Sequence, residues 1–284
     1  MRTGSLIIVV IFFVLFTAGS CSRKDRQDQF ADKLNDSIPV FSTIEADWMK
    51  QGYPQQPSKW HSISAFDTLS IGDFLLSFRR TQGDFSPYYS DHYKRDSVQY
   101  GHDNDFHKSM AVERYLEEDY DSLFVRRGDT LQFLIGSGRH WQLINSDSQR
   151  YCLEHLFEAQ SLFLVKVYYQ IGNSYLLMDA DNGEVTYLWG RPYFSPEGMH
   201  MAVINNDQKI QYGANGIQLF MVNQDTLELL WELGLGNWGP SELAWLTEDT
   251  IMLRREYLAP NESEEVYISD EVLLVLSAKT PAIL

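Results

Sequence analysis

The chain is poor in cysteine, in positive charge and in long apolar runs, and each shortage excludes something. Its two cysteines, Cys21 and Cys152, cannot build a disulfide framework, so stability has to come from a core. Lys and Arg number 23 against 39 Asp and Glu, a formal charge of −16 over 284 residues. A surface of that sign repels phosphate backbones, so no nucleic-acid partner is expected. One apolar run stands out, Leu6 to Phe16. As a helix it would span about 16 Å, short of the roughly 20 residues that a bilayer core requires. Motifs are scarce as well. There is no Gly-x-Ser-x-Gly elbow and no GxxxxGK[ST] loop, and Gly234-Leu235-Gly236-Asn237-Trp238-Gly239 falls among strand-like segments rather than at the start of a helix. No cofactor is expected.

What is present begins with a leader. Arg2, the apolar run and the small residues Thr17-Ala18-Gly19-Ser20 before Cys21 have the layout of a signal peptide. Ala18-Gly19-Ser20-Cys21 resembles a bacterial lipoprotein cleavage box, with Ala18 where that family prefers Leu. The resemblance implies cleavage before Cys21 and acylation of its sulfur; the alternative is an ordinary secretory leader with an incidental cysteine. Two acyl chains would anchor the protein stably at a membrane, at about 0.8 kcal/mol per buried CH2. Ser22 follows in place of Asp, which by resemblance to a Gram-negative sorting rule points to the outer membrane. Residues 22 to 36 are polar and of mixed charge, a flexible tether. The expected organisation is a signal peptide over 1–20, the lipidated cysteine and tether over 21–40, and a mainly β domain over 41–284. Loss of Arg2 with the leader takes the formal charge to −17. Cys152 is then without an intramolecular partner and reads as a buried small hydrophobe.

From Phe41 onward, short runs of β-branched and aromatic residues bounded by Gly, Asn, Asp and Pro predict strands. Examples are Asp73–Phe78, Leu131–Ile135, Trp141–Ile144 and Phe163–Tyr169. In the last of these Val165, Val167 and Tyr169 alternate with Lys166 and Tyr168, which predicts one buried and one wet face. A helix with a thin apolar stripe is expected near Phe106 to Glu118, and a loop at Phe85–Tyr89 on account of Pro87.

One layout recurs in the second half. A strand at Ser174–Asp179, a turn at Asp181–Glu184, a strand at Val185–Leu188, then Pro192–Gly198 and Met199–Ile204 are followed by a looser copy. That copy runs through Gly216–Val222, Leu227–Trp231, Pro240–Trp245 and Thr250–Leu253, and Glu271–Leu276 closes the chain. Leu176 to Leu219 is 43 residues and Phe194 to Trp245 is 51, periods that suit propellers and solenoids. A sandwich with evenly spaced hairpins is the alternative. Phe194-Ser195-Pro196-Glu197-Gly198 before Met201-Ala202-Val203 resembles the aromatic-Ser-Pro-Asp-Gly signature of WD-repeat-like periplasmic β-propellers, and Trp245–Asp249 matches it in part. The wider run is also similar to uncharacterised secreted bacterial proteins. The resemblance implies propeller-like repeats of short antiparallel strands and assigns no activity. Pro196 and Gly198 should shape a hairpin turn, with Phe194 packed between sheets.

For chemistry, the densest set of ligand types is Asp91-His92 and His102-Asp103-Asn104-Asp105-Phe106-His107. His92, His102, Asp103, Asp105 and His107 could hold a divalent metal, yet their spacing is neither HExxH nor an EF-hand, and a solvated loop explains them as well. Paired acids such as Glu117-Glu118-Asp119 and Asp270-Glu271 could serve a glycosidase only if two faced each other across a cleft. The tryptophans could stack sugars but are mostly expected in the core. Asp followed by Ser or Thr and an aliphatic residue occurs at Asp36, Asp67, Asp96, Asp121, Asp129, Asp225 and Asp249. This resembles an O-glycosylation acceptor of some Gram-negative envelope proteins, and turn-to-strand junctions generate the same triplet. The expectation is a membrane-tethered, non-catalytic binding or scaffolding module at the cell envelope with a protein or glycan partner. An envelope hydrolase, metal-dependent or glycan-acting, is the alternative.

Overall fold

Hairpins follow directly from runs of this kind, and the computed structural model is built of them. It describes residues 41–43, 56–64, 66–83, 105–136, 138–208, 212–223, 226–258 and 267–279. Its strands form four sheets, none of which closes on itself. Sheet I has the order β1 (Phe41–Thr43), β7 (His140–Ile144), β6 (Thr130–Leu134), β5 (Phe124–Arg127). Sheet II runs β11 (Val185–Leu188), β10 (Asn173–Asp179), β9 (Leu162–Tyr169), β8 (Gln149–Phe157). Sheet III is β12 (Pro192–Phe194), β13 (His200–Asn205), β14 (Gly216–Val222), β15 (Leu227–Leu235), β2 (Trp60–His61). Sheet IV is β16 (Gly239–Thr247), β17 (Thr250–Leu258), β18 (Tyr267–Ala278), β4 (Phe74–Thr81), β3 (Thr68–Ile71).

The fold is mainly β, as expected, and the strands are antiparallel except at two outer edges. There β1 joins β7 and β2 joins β15 in parallel. Three consecutive units begin with β8, β12 and β16, and the spacing seen in the sequence marks equivalent places in them: Leu176 and Leu219 each lie in a third strand. N-terminal strands complete the sheets. Antiparallel pairing of β4 with β18 binds the two ends of the chain into one sheet.

Three apolar seams hold the sheets together. Phe133, Leu143, Phe163, Val165 and Val167 fill the space between sheets I and II, while Leu164, Leu177, Met201, Val203 and Phe220 fill that between II and III. Leu76, Phe78, Leu219, Leu233, Trp238 and Leu274 fill the third, between III and IV. Sheet II is thus covered on both faces, which corrects the expectation for β9. All eight of its residues are buried, and Lys166 is only 6 % exposed. The face assigned to water meets sheet III and a helix instead.

That helix, α1 (Asp105–Tyr120), extends the segment expected as helical by one residue at the start and two at the end. Its thin apolar stripe has a physical reason, because the face it buries is polar. Asp105, Ser109, Glu113 and Glu117 recur at every fourth residue, which places them on one side of an α-helix. Ser109 and Glu113 are its two buried residues. The hairpin at Phe194–Gly198 forms as expected, with Gly198 at φ +75° and its N–H donating to the Ser195 carbonyl at 2.9 Å. Phe194 packs edge-on against Phe157 of sheet II, 4.9 Å between ring centres. The loop at Phe85–Tyr89 lies outside the described residues.

Candidate functional site

Successive side chains on one face of β9 mark a path along the seam between sheets II and III: Leu162, Leu164, Lys166 and Tyr168. Leu162 opens on a cleft, Leu164 sits in the apolar seam, and Lys166 and Tyr168 enter a buried network of charge.

The network forms because a lysine in the middle of an apolar strand requires counter-charges. Lys166 Nζ donates to Asp105 Oδ2 at 2.6 Å and lies 3.7 Å from Glu154 Oε1. Glu154 reaches this point from a bulge in β8, where the ladder slips between Leu153 and His155. Its two oxygens accept from Ser109 Oγ at 2.7 Å and from Arg191 Nη2 at 3.0 Å. Arg191 Nε also donates to Tyr175 Oη at 3.2 Å, and Tyr168 Oη lies 2.7 Å from Ser109 Oγ. Burial works against the charge of Lys166, but Glu154 and Asp105 outweigh it and hold the amine above its ordinary value. Lys166 is thereby held as a cation between two carboxylates. Burial pushes the Tyr175 hydroxyl well up, and the Cys152 thiol likewise, so Cys152 is the inert apolar residue expected of it.

A second cluster seals β8. Glu113, 1 % exposed, accepts from Arg126 Nε and Nη2 at 2.6 and 2.7 Å and from the Leu153 N–H at 2.7 Å. Arg126 Nη2 donates in turn to the Tyr151 carbonyl at 2.6 Å, and its own N–H donates to Glu117 Oε1 at 3.1 Å. The helix and β5 thereby supply the partners that a neighbouring strand would otherwise give this edge.

At the other end of the seam the hairpin turns of sheets II and III enclose a cleft of about 790 Å³. Asp179, Asp181, Glu184 and Glu197 stand around it, together with Gln160, Asn182, Asn223 and Thr226. Leu162, Leu177, Val222 and Leu227 contribute its apolar surface, while the Val185 side chain packs in the seam between sheets I and II. Among the described residues, no Lys, Arg, His or aromatic residue lines it. Asp179 Oδ1 is occupied locally, accepting from the N–H groups of Asp181 and Asn182 at 2.7 and 2.8 Å.

The metal candidates do not gather among the described residues. His92, His102 and Asp103 lie outside them, as does the lipidation residue Cys21. Asp105 serves Lys166, and His107 lies exposed on α1. No group of three or more His, Cys, Asp and Glu able to hold a metal occurs among the described residues. A serine, a histidine and an acid do meet at the β12–β13 turn, in an order unsuited to nucleophilic catalysis. Ser195 Oγ donates to Glu248 Oε2 at 2.6 Å, and His200 Nδ1 lies 3.5 Å from that same oxygen, so the acid separates hydroxyl from imidazole where a triad needs them adjacent. Glu248 also accepts from the Glu197 N–H at 2.5 Å and so clamps one hairpin to the next. Among the carboxylate runs, Asp270 pairs with Arg255 at 2.6 Å and Glu271 with Arg254 at 3.5 Å. Trp189, Trp231, Trp238 and Trp245 are core residues, whereas Trp60 is exposed. Asp67, Asp121, Asp129 and Asp249 each precede a strand by one to three residues, as turn-to-strand junctions require.

Sequence reading missed Glu154, Arg191, Glu113 and Arg126. Lys166 within Phe163–Tyr169 was the available signal, since a buried cation demands acids nearby. A scan against models of protein families finds no match for this chain, and a search of curated proteins finds none either.

The Lys166–Asp105 pair carries a pH test. Burial raises the Asp105 carboxyl, but the hydrogen bond and charge of Lys166, with Tyr168, more than offset this and hold it below its ordinary 3.8. A carboxylate with a depressed folded value contributes stability above its unfolded value and loses it as pH falls through the folded one. Asp105 is well exposed, so Asp105→Asn is expected to lower stability by no more than about 1 kcal/mol at neutral pH. The difference from the unaltered protein should shrink as pH falls below the ordinary range of an aspartate, measured by urea unfolding across the acid range.

Proposed function

We propose that this chain is an exported, lipid-anchored module of the bacterial cell envelope that binds a partner in the cleft between sheets II and III and carries out no catalysis of its own. The cleft is the observation that carries the reading. It combines an apolar floor, a rim of carboxylates and amides, and walls made by hairpin turns of two packed sheets. The charge network at the far end of the seam supports it by tying sheet II to α1 and to Arg191 just ahead of β12, with every ion matched by a counter-charge. On this reading the four sheets are blades of a propeller-like body, and N-terminal strands finish three of them. Cys21, acylated after removal of residues 1–20, would hold that body at the outer membrane through the tether.

Two measurements test this. A Cys21→Ser form should leave the membrane fraction and appear as a soluble periplasmic species; retention in washed membranes would overturn the anchor. A photo-crosslinking residue in place of Thr226, at the cleft, should trap a protein partner in living cells. The crosslink should be lost when Glu184 and Glu197 are both changed to Lys, and a crosslink indifferent to that reversal would overturn the cleft.

A further inference from the structure

The register of β1 fixes the end of the molecule at which the chain enters its described body. Parallel pairing sets Phe41 beside His140 and Ser42 beside Trp141, so β1 starts level with the start of β7. That is the cleft end. The Trp141 indole nitrogen lies so close to Gly183 that a Cβ on this glycine would collide with it, and Gly183 stands between Asn182 and Glu184, which line the cleft. In the turn before β7 the Gly136 N–H donates to the Ala180 carbonyl at 2.7 Å, next to Asp181 of the same lining. The chain therefore enters one strand, about 5 Å, away from a strand that touches the turn forming one wall of the cleft. Charge points to what fits inside. Among the described residues the lining holds Asp179, Asp181, Glu184 and Glu197 and no cation. Arg23-Lys24-Asp25-Arg26 is the one stretch of the sequence in which three of four consecutive residues are Lys or Arg, in a chain of net charge −16. It belongs to residues 22–40, which lie outside the described residues. Phe41 follows Arg26 by 15 residues, which span about 50 Å fully extended and roughly 20 Å on average in a flexible linker.

We propose that Arg23, Lys24 and Arg26 dock in the cleft between sheets II and III, so that the chain's own N-terminal segment occupies the binding site until a partner displaces it. This rests on the reading of the cleft as the binding site and adds how that site is regulated. A segment joined to the body meets the cleft at an effective concentration of about 1 mM, so a contact with a Kd of about 1 mM, too weak to retain a free peptide, still fills half of the clefts. Leu162, Leu177, Val222 and Leu227 suit the methylene stems of Arg and Lys, whose charged heads then meet the carboxylates of the rim.

The experiment uses the full chain in its Cys21→Ser form, with the photo-crosslinking residue in place of Thr226. Irradiation of the purified protein, read by mass spectrometry of its peptides, should join position 226 to the peptide that holds Arg23 to Arg26 within a single chain. The triple change Arg23→Glu, Lys24→Glu, Arg26→Glu should lower that yield about fivefold or more, as should the Glu184→Lys, Glu197→Lys pair, and the two sets combined should restore it. In living cells the triple change should raise the crosslink to a partner by a similar factor; an unchanged yield would overturn the regulation. A crosslink to a cellular partner with none to the N-terminal segment in the purified protein would overturn self-docking while leaving the cleft as the binding site. No crosslink of either kind would overturn both readings. A crosslink to the segment that survives charge reversal would show that the carboxylates do not hold it and would overturn the proposal. So would one that joins two copies in a mixture of isotope-labelled and unlabelled protein, because the segment would then reach the cleft of another molecule.

Discussion

Glu113→Ala is expected to destabilise the protein by about 3–5 kcal/mol, the range for removing one partner of a buried ion pair. Glu113 accepts both forks of Arg126 and the Leu153 N–H, and truncation strips a buried cation of its paired carboxylate and leaves a buried amide without its acceptor. Burial opposes the charge of Arg126, and the Glu113 carboxylate is the main force that holds its pKa above the ordinary value. A Glu113→Ala, Arg126→Met double variant should recover much of the loss, because it removes the orphaned charge and supplies apolar volume. Urea unfolding of the two variants, monitored by tryptophan fluorescence, separates the terms. If the double variant were as unstable as the single one, the loss would lie in the sealing of the β8 edge and not in the unpaired arginine.

Trp238→Ala should cost a similar amount, about 3–5 kcal/mol, through loss of a large buried ring. The ring is 1 % exposed, meets Phe78 edge-on at 6.3 Å and lies under the Arg255 guanidinium at 5.4 Å. Its Nε1 donates to the Ile63 carbonyl at 2.9 Å, which fastens the N-terminal strands to sheets III and IV. Asn237 Nδ2 holds the same carbonyl at 3.2 Å. Trp238→Phe keeps most of the volume and drops the donor, so a smaller loss of about 1–2 kcal/mol is expected. Hydrogen exchange should locate the damage. Amides around Ile63 should accelerate more than those of β9, and uniform acceleration would show that the N-terminal strands and the body unfold as one unit.

Strands were the legible part of this chain. At Phe163–Tyr169, Val185–Leu188 and Gly216–Val222 the run of β-branched and aromatic residues and the turn residues after it point to the same element. The hairpin at Phe194–Gly198 and the burial of Cys152 were readable for the same reason, since both depend on residues close by in sequence or on the residue type itself. What alternation cannot reveal is how many neighbours a sheet will have. Lys166 and Tyr168 carry the polarity of a wet face and yet lie buried, because Asp105 and Ser109 of α1 and Glu154 of β8 arrive to partner them. The helix was hard to recognise for a related reason, its inward face being Asp105, Ser109, Glu113 and Glu117.

By itself the sequence determined most of the segments that form strands, the repeat that spaces them, and the acidic character of the chain. These are properties of short segments and of composition. Tertiary structure alone decided which sheet stacks on which, which ions share a buried network, and that the turns of sheets II and III leave a cleft beside β11. Those outcomes depend on contacts between residues far apart in the chain: Glu154 meets Arg191, and Gln218 captures the N–H of Trp189, only after whole sheets have packed. A local pattern carries no record of such a meeting.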